Sequence, residues 1–505
     1  MTISKSQFVA GCQCLKRLYW QVHEPELAAE PDAAAVAIME QGRQVGRLAR
    51  QMFAGGVEVE SRDPEQAIRT TRELVANPRV PAIFEGAFEH GGVFVRVDIL
   101  QRRRDGRWRL IEVKSTADLK DHHLDDVAIQ YRVLSRSGLD VASCCLAHVN
   151  RAYVFNGGSV DARRFFKIRN LTRKVEQLEP KLTFQLRSEL RVLAMPKVPD
   201  LPAGPHCTIP VICEFFDRCN SPRPSDHIGF LPRLHASAAE ELEEMGVESI
   251  HDIPEDFELT EIQRRAATCV QTGEPWFSPD LGKELDGMKY PLYFMDFETV
   301  NPAIPRFAGM RPFDQLPFQW SVHVRRQPVA EPEHYEFLAT DTSDPRREFA
   351  TSLCSALGES GNVVVYNAPF ESQRLSELAA WLPEFAERIK NVQSRLFDLL
   401  PLVRNHVYHP AFAGSYSLKS VLPAIVPEMS YDGMAVANGQ DAGLAWESLV
   451  RGNLNHIEFE RVRKGLFQYC GQDTMALARL LQTLILRVAR RKQNSMKTHL
   501  TQFDN

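Results

Sequence analysis

No stretch of this sequence is apolar for long enough to cross a membrane, and its first residues, MTISKSQFVAGCQC, lack the apolar core of a secretory signal. The expectation is a cytoplasmic protein without a membrane partner. A basic excess is also lacking. The formal net charge is −5, so any grip on nucleic acid has to come from local patches. Neither an internal repeat nor a long low-complexity tract is present. The 505 residues therefore have room for two to four folded domains, and 44% apolar with 25% charged residues is an ordinary globular composition. The chain has ten cysteines, unevenly placed, and a reducing compartment does not favour a disulfide framework. Clustered cysteines then point to metal or catalysis. Cys12 and Cys14 stand near the start, and Cys207, Cys213 and Cys219 sit together at a Pro-rich break. Cys144, Cys145, Cys269, Cys354 and Cys470 lie in apolar or helical contexts and read as core thiols.

The break CNSPRPSDHIGFLPR closes a first domain over residues 1–225. Residues 226–285 read as a helical linker, 286–490 as a further domain, and 491–505 as a polar tail that frays. Within the linker, LPRLHASAAEELEEMGVESIHDI is similar to a helix-hairpin-helix, which offers backbone amides to a phosphate. A plain helical spacer fits the same residues.

In the first segment, VFVRVDIL (93–100) and RWRLIEVK (107–114) alternate as strands around an Asp-Gly turn. Asp98 lies on one strand, and Glu112 and Lys114 share a face of the other. Two carboxylates can hold a divalent metal against a scissile phosphate, and a neighbouring lysine can stabilise charge or orient water. A helix over 128–134 then carries Gln130 and Tyr131. This layout resembles the RecB-type branch of the PD-(D/E)xK nucleases. The resemblance implies a restriction-endonuclease-like fold, with Asp98 and Glu112 as metal ligands, Lys114 catalytic, and Gln130 and Tyr131 on the substrate. CLKRLYW (14–20) resembles the opening of iron–sulfur RecB-like nucleases, including CRISPR-associated ones. That implies a structural [4Fe–4S] cluster on Cys14, Cys207, Cys213 and Cys219, with zinc as the alternative and Cys12 as a rival first ligand. The family places a metal-binding histidine in an early helix, where this sequence has Gly46. Glu85 and His90 do not match the motif.

In the third segment, YFMDFETV (293–300) reads as a buried strand whose Asp296 and Glu298 point the same way. Strands at 318–324 and 334–339, a helix at 346–358, and a strand and helix over 362–375 come after it, in the order of a ribonuclease-H-like α/β domain. Glu371 opens the last of these helices. Tyr469 and Asp473 share a face of a helix over 466–486. DFET, YNAPFE and YCGQD together resemble the three motifs of the DEDD exonucleases, in their tyrosine-using branch. The resemblance implies one or two Mg²⁺ or Mn²⁺ ions on Asp296, Glu298, Glu371 and Asp473, with Tyr469 orienting the attacking water. Glu371 stands where the family has aspartate, and Asp398 and Lys419 are substrate-side or structural.

The expectation is an α/β multidomain hydrolase. A RecB-like PD-(D/E)xK domain with an iron–sulfur cluster is joined to an RNase H-like 3′→5′ exonuclease. The implied partner is DNA with single-stranded or end character, in repair, processing or antiviral defence. The alternatives are an RNA 3′ exonuclease with a binding but inactive first domain, and a non-enzymatic nucleic-acid scaffold. Local basic clusters are Arg102 with Arg103 and Arg104, Arg163 with Arg164, and Arg487 with Arg490, Arg491 and Lys492. Tyr19, Trp20, Trp108 and Trp320 are candidates for base stacking.

Overall fold

The computed structural model describes residues 2–220 and 223–501, with side chains through 493. The chain is a mixed α/β protein of two compact units. One comprises Met1–Pro222 with Asn301–Asp314, and the other Arg223–Val300 with Gln315–Asn505. The Pro-rich break therefore falls at the boundary between them.

The first unit is built on a seven-stranded sheet. Its spatial order is Val57–Glu58, Ala82–His90, Val93–Arg102, Trp108–Lys114, Val141–Val149 and Phe166–Asn170, with Ile3–Ser4 added in parallel to Val93–Arg102. The expected hairpin is present, with Ile99 opposite Ile111 and Arg102 opposite Trp108. Gly106 makes its turn at φ +80°, a left-handed conformation that glycine adopts without strain. The helix Asp121–Arg136 links Trp108–Lys114 to its parallel neighbour Val141–Val149. Apolar clusters cover both sheet faces, and one of them includes the fully buried Ala303. Residues 301–314 thus leave the second unit's central strand and complete the first unit's core. Hydrogen bonds between Phe155 and the Gly309–Met310 backbone hold them there. Linear domain boundaries miss this excursion.

The second unit has a five-stranded sheet in the order Glu333–Leu338, Leu316–Arg325, Leu292–Val300, Asn362–Val365, Leu396–Asp398. Numbered along the chain this is 3-2-1-4-5. The first three strands are antiparallel and the rest parallel. The strand with Asp296 and Glu298 is the central one. Leu316–Arg325 is buried along its whole length, and its alternating polar residues Gln319, Ser321, His323 and Arg325 are buried with hydrogen-bond partners from the last helix. The helix His456–Thr501 packs across Leu292–Val300 and Leu316–Arg325.

Residues 226–285 do not form the expected linker. Ile228, Leu242, Ile250 and Ala266 share one core with Phe294 of the central strand, with Val403 and Val407, and with Leu477 and Leu484 of the last helix. They are an integral layer of the second unit, because their apolar side chains are buried against its sheet and last helix. The second helix expected of a helix-hairpin-helix is also missing. Ala236–Glu244 turns at Gly246 into a single 3-10 turn, Ile250–Asp252, and the next helix begins only at Glu261. The last helix continues through Thr501, beyond the expected start of a frayed tail at 491, and residues 502–505 lie outside the described residues.

Trp446 anchors the second unit. It is 2% exposed, stacks on Phe318 at 4.7 Å between centroids, and donates its indole N–H to the Ala339 carbonyl at 2.8 Å. Trp446→Ala is expected to destabilise this unit by about 3–5 kcal/mol, with Trp446→Phe recovering part of the loss. Urea unfolding of the two variants checks this; equal midpoints for Trp446→Ala and wild type would contradict it.

Candidate functional site

The second unit gathers carboxylates from three elements. Asp296 and Glu298 come from the central strand, Asp473 from the last helix, and Glu371 from the first turn of Ala368–Trp381. Strand alternation puts the first pair on one face. Ligand atoms of Asp296, Glu298 and Cys470 lie within 4.8 Å of one another. Asp473 and Glu371 stand outside that circle, close enough for their charges to act on Asp296. Burial is the main cause that raises all four carboxyls. It pushes Glu298 and Glu371 up to about 8 and Asp473 to about 6, and Asp296 rises well above the usual range with Asp473, Glu298 and Glu371 adding to the effect.

The surroundings offset little of this repulsion. Lys419 acts on Glu298 and Asp473, and its ammonium lies 5.6 Å from the ring centroids of both Tyr431 and Tyr469. The same ammonium donates to the Ala437 carbonyl. Tyr431 donates its hydroxyl to Asp473 Oδ1 at 2.6 Å. Burial, and then the Asp473 charge, raise the hydroxyls of Tyr469 and Tyr431 far above their ordinary value, so both stay protonated donors. Glu371 is 4% exposed, and its Oε2 has no hydrogen-bond partner among the described residues. A buried orphan oxygen beside a cluster of carboxylates fits a hard divalent cation such as Mg²⁺ or Mn²⁺. Asp398 is structural. It accepts from the backbone N–H groups of Asn367 and Ala368 at 2.9 Å and Leu400 at 3.0 Å.

The first unit solves a similar problem differently. Glu112, 2% exposed, accepts from Lys5 at 3.0 Å, Lys114 at 2.7 Å and Gln130 at 2.8 Å. Asp126 pairs with Lys5 at 3.1 Å and with Lys114. Asp98 sits where the hairpin ladder ends and accepts the Val113 N–H at 2.7 Å. Burial alone would raise Glu112, but the Lys5 and Lys114 ammoniums outweigh it and hold the carboxyl below its usual range. Burial and the Glu112 charge push Asp98 up to about 7. Gly46 lies on the helix Ala33–Arg50, where a Cβ would meet no atom within 4 Å. Glu85 pairs with Arg50 at 2.8 Å. Tyr131 does not join the site; it packs on the core near Glu176 and Glu179.

Cys14, Cys207, Cys213 and Cys219 line one pocket, with Lys16, Arg17 and Trp20 beside them. No three of these sulfurs fall within 4.8 Å of one another among the described residues. Cys12 does not line that pocket and lies instead near the buried Glu189, which weakens it as a rival ligand. The candidate stacking aromatics Tyr19, Trp20, Trp108 and Trp320 are all buried in the core. Arg102 is structural too, donating to the Val75, Asn77 and Val80 carbonyls.

Sequence reasoning missed Lys5, Asp126, Tyr431 and Cys470 at these sites. Asp126 had a signal, since it lies one turn before Gln130 on the same helix face. Lys5 and Tyr431 reach their partners across 107 and 42 residues and carry no local mark.

A family described as a domain of unknown function, DUF2779, matches residues 293–417, the stretch that holds Asp296, Glu298 and Glu371. The chain is 27% identical over 207 residues to the uncharacterized protein MG366 of Mycoplasma genitalium, covering 37% of this chain and 31% of that protein. It is 23% identical over 213 residues to the uncharacterized protein UU173 of Ureaplasma parvum, covering 38% and 30%. The chain thus spans under a third of these relatives' own length. A solved chain described as "Crystal structure of SSO0001" is 14% identical, with 36% of this chain and 75% of that one covered and a TM-score of 0.19.

A carboxyl raised on folding binds more protons in the folded chain than in the unfolded one. The metal-free fold is therefore expected to lose stability as pH rises from about 4.5 to about 8. A divalent cation should offset this most at the alkaline end. Thermal melts of wild type and Asp296→Asn, with EDTA or Mn²⁺, check it. A wild-type midpoint that Mn²⁺ leaves unmoved at the alkaline end would contradict it.

Proposed function

We propose that this chain is a metal-dependent phosphodiesterase acting on nucleic acid, whose catalytic centre is the acid cluster of the second unit. The observation that carries this reading is the convergence of Asp296, Glu298, Glu371 and Asp473 with raised carboxyls and one orphan oxygen. The strand order 3-2-1-4-5, with the acid pair on the central strand, supports an RNase H-like DEDD exonuclease domain. Bound divalent cations would activate water and neutralise charge on the scissile phosphate. The chain's own groups do the rest. Protonated Tyr469 orients the attacking water by hydrogen bonding, Asp473 fixes Tyr431, and Lys419 draws the anionic strand toward the acids. The proposed direction is 3′→5′, and the proposed substrate is single-stranded or end-bearing DNA.

The first unit favours a second, narrower role. Lys5 and Lys114 already balance Glu112 and Asp126, so a metal there would have to displace Lys5. We read this RecB-like unit as holding the strand rather than as the main cutter. Its four cysteines are proposed to bind a [4Fe–4S] cluster. The four thiolates lining one pocket suit such a cluster chemically, and zinc is the alternative.

End-labelled DNA and RNA strands, incubated with Mn²⁺ and anaerobically purified protein, test the reading. Asp296→Ala is expected to lower cleavage by roughly a thousandfold or more, while Lys114→Ala retains most of it. Cleavage that survives Asp296→Ala would sink the assignment.

A further inference from the structure

The second unit has a cleft of about 550 Å³, within the roughly 300–1,000 Å³ range of ligand sites, and its Tyr366 lies near enough to act on Tyr431, the donor to Asp473. Its lining includes Arg233, Arg404, Tyr366, Asn367, Tyr416 and Gly414, and no aspartate or glutamate. In a chain of net charge −5 that composition stands out. Neither Arg233 nor Arg404 forms an ion pair with a carboxylate among the described residues. The Arg404 guanidinium lies 5.9 Å from the Tyr416 ring centroid. Asp398, whose charge acts on Tyr366, is occupied by three backbone N–H groups.

Unusual backbone conformations gather around this cleft. Arg233, Asn367 and Gly414 all have positive φ, at +54°, +87° and +74°. A Cβ on Gly414 would lie 2.3 Å from the Phe230 carbonyl oxygen, so only glycine lets that loop close against the segment carrying Arg233. Non-glycine residues in this region cost free energy and gather where function demands them. Two walls of the cleft also lead into the acid cluster. Tyr366 and Asn367 precede the helix of Glu371, and Ser417 and Leu418 precede Lys419.

We propose that this cleft holds the phosphodiester backbone of a single strand whose end enters the acid cluster, with Arg233 and Arg404 as its phosphate contacts. The proposal rests on the phosphodiesterase reading for the fate of that end, but not for binding itself. Residues 226–285 then have a purpose beyond packing, because they supply one wall.

Binding of short fluorescent DNA and RNA strands in EDTA, over a range of salt, tests this without any cleavage. Arg233→Glu/Arg404→Glu is expected to weaken binding on the order of tenfold and to reduce the salt slope by about 1.4, two phosphates at about 0.7 each. Arg233→Lys/Arg404→Lys keeps the charge and should retain most of the affinity, which separates lost contacts from misfolding. Unchanged affinity and slope in the Glu pair would overturn the cleft. Cleavage by wild type in Mn²⁺ is scored separately: arginine-dependent binding without cleavage upholds the cleft and sinks the phosphodiesterase reading, and the converse result does the opposite. A strand preference for DNA or for RNA identifies which of the two backbones the cleft takes.

Discussion

Carboxylates gathered on one face of a central strand repel, and burial makes the repulsion worse because water no longer screens it. Asp296 and Glu298 are fixed in that position by strand geometry, and the last helix adds Asp473. The side chains around the acids offset only part of this. Tyr431 and Tyr469 supply hydroxyl donors, Lys419 supplies one positive charge, and Cys470 fills the space against the strand, its thiol beside the Asp296 carbonyl. The negative charge left unbalanced is the basis for the proposed affinity for a cation.

The first unit meets the same physical problem with protein charges alone. Lys5 from the first helix and Lys114 from the hairpin sit among Glu112, Asp126 and Asp98. Breaking a buried pair of this kind by removing one partner is costly, so these lysines hold the sheet and two helices together whatever else they do. The contrast between the two sites separates their proposed roles more clearly than either motif does.

Much of the architecture was legible because it rests on local periodicity. The alternation in YFMDFETV, the Asp-Gly turn of the hairpin and the helical spacing of Tyr469 and Asp473 each mark their own element. The features that escaped depend on contacts distant in sequence. Residues 301–314 look like an ordinary loop until Ala303 is found in the other unit's core. Residues 226–285 read as a helical linker, yet Leu242 and Ile250 are fully buried. Lys5 has no pattern around it to announce that it closes an ion-pair network with Glu112. Tyr131 was placed at the site by resemblance, but a helix turns by about 100° per residue, which points it away from its neighbour Gln130.

The proposed chemistry requires the second unit's acids to hold divalent cations. Electron paramagnetic resonance of added Mn²⁺ measures the free ion and gives the bound ions by difference. About one or two tightly bound ions per chain are expected, lost in Asp296→Asn and retained in Glu112→Gln. Binding that is absent in wild type, or that Asp296→Asn leaves intact, would contradict it.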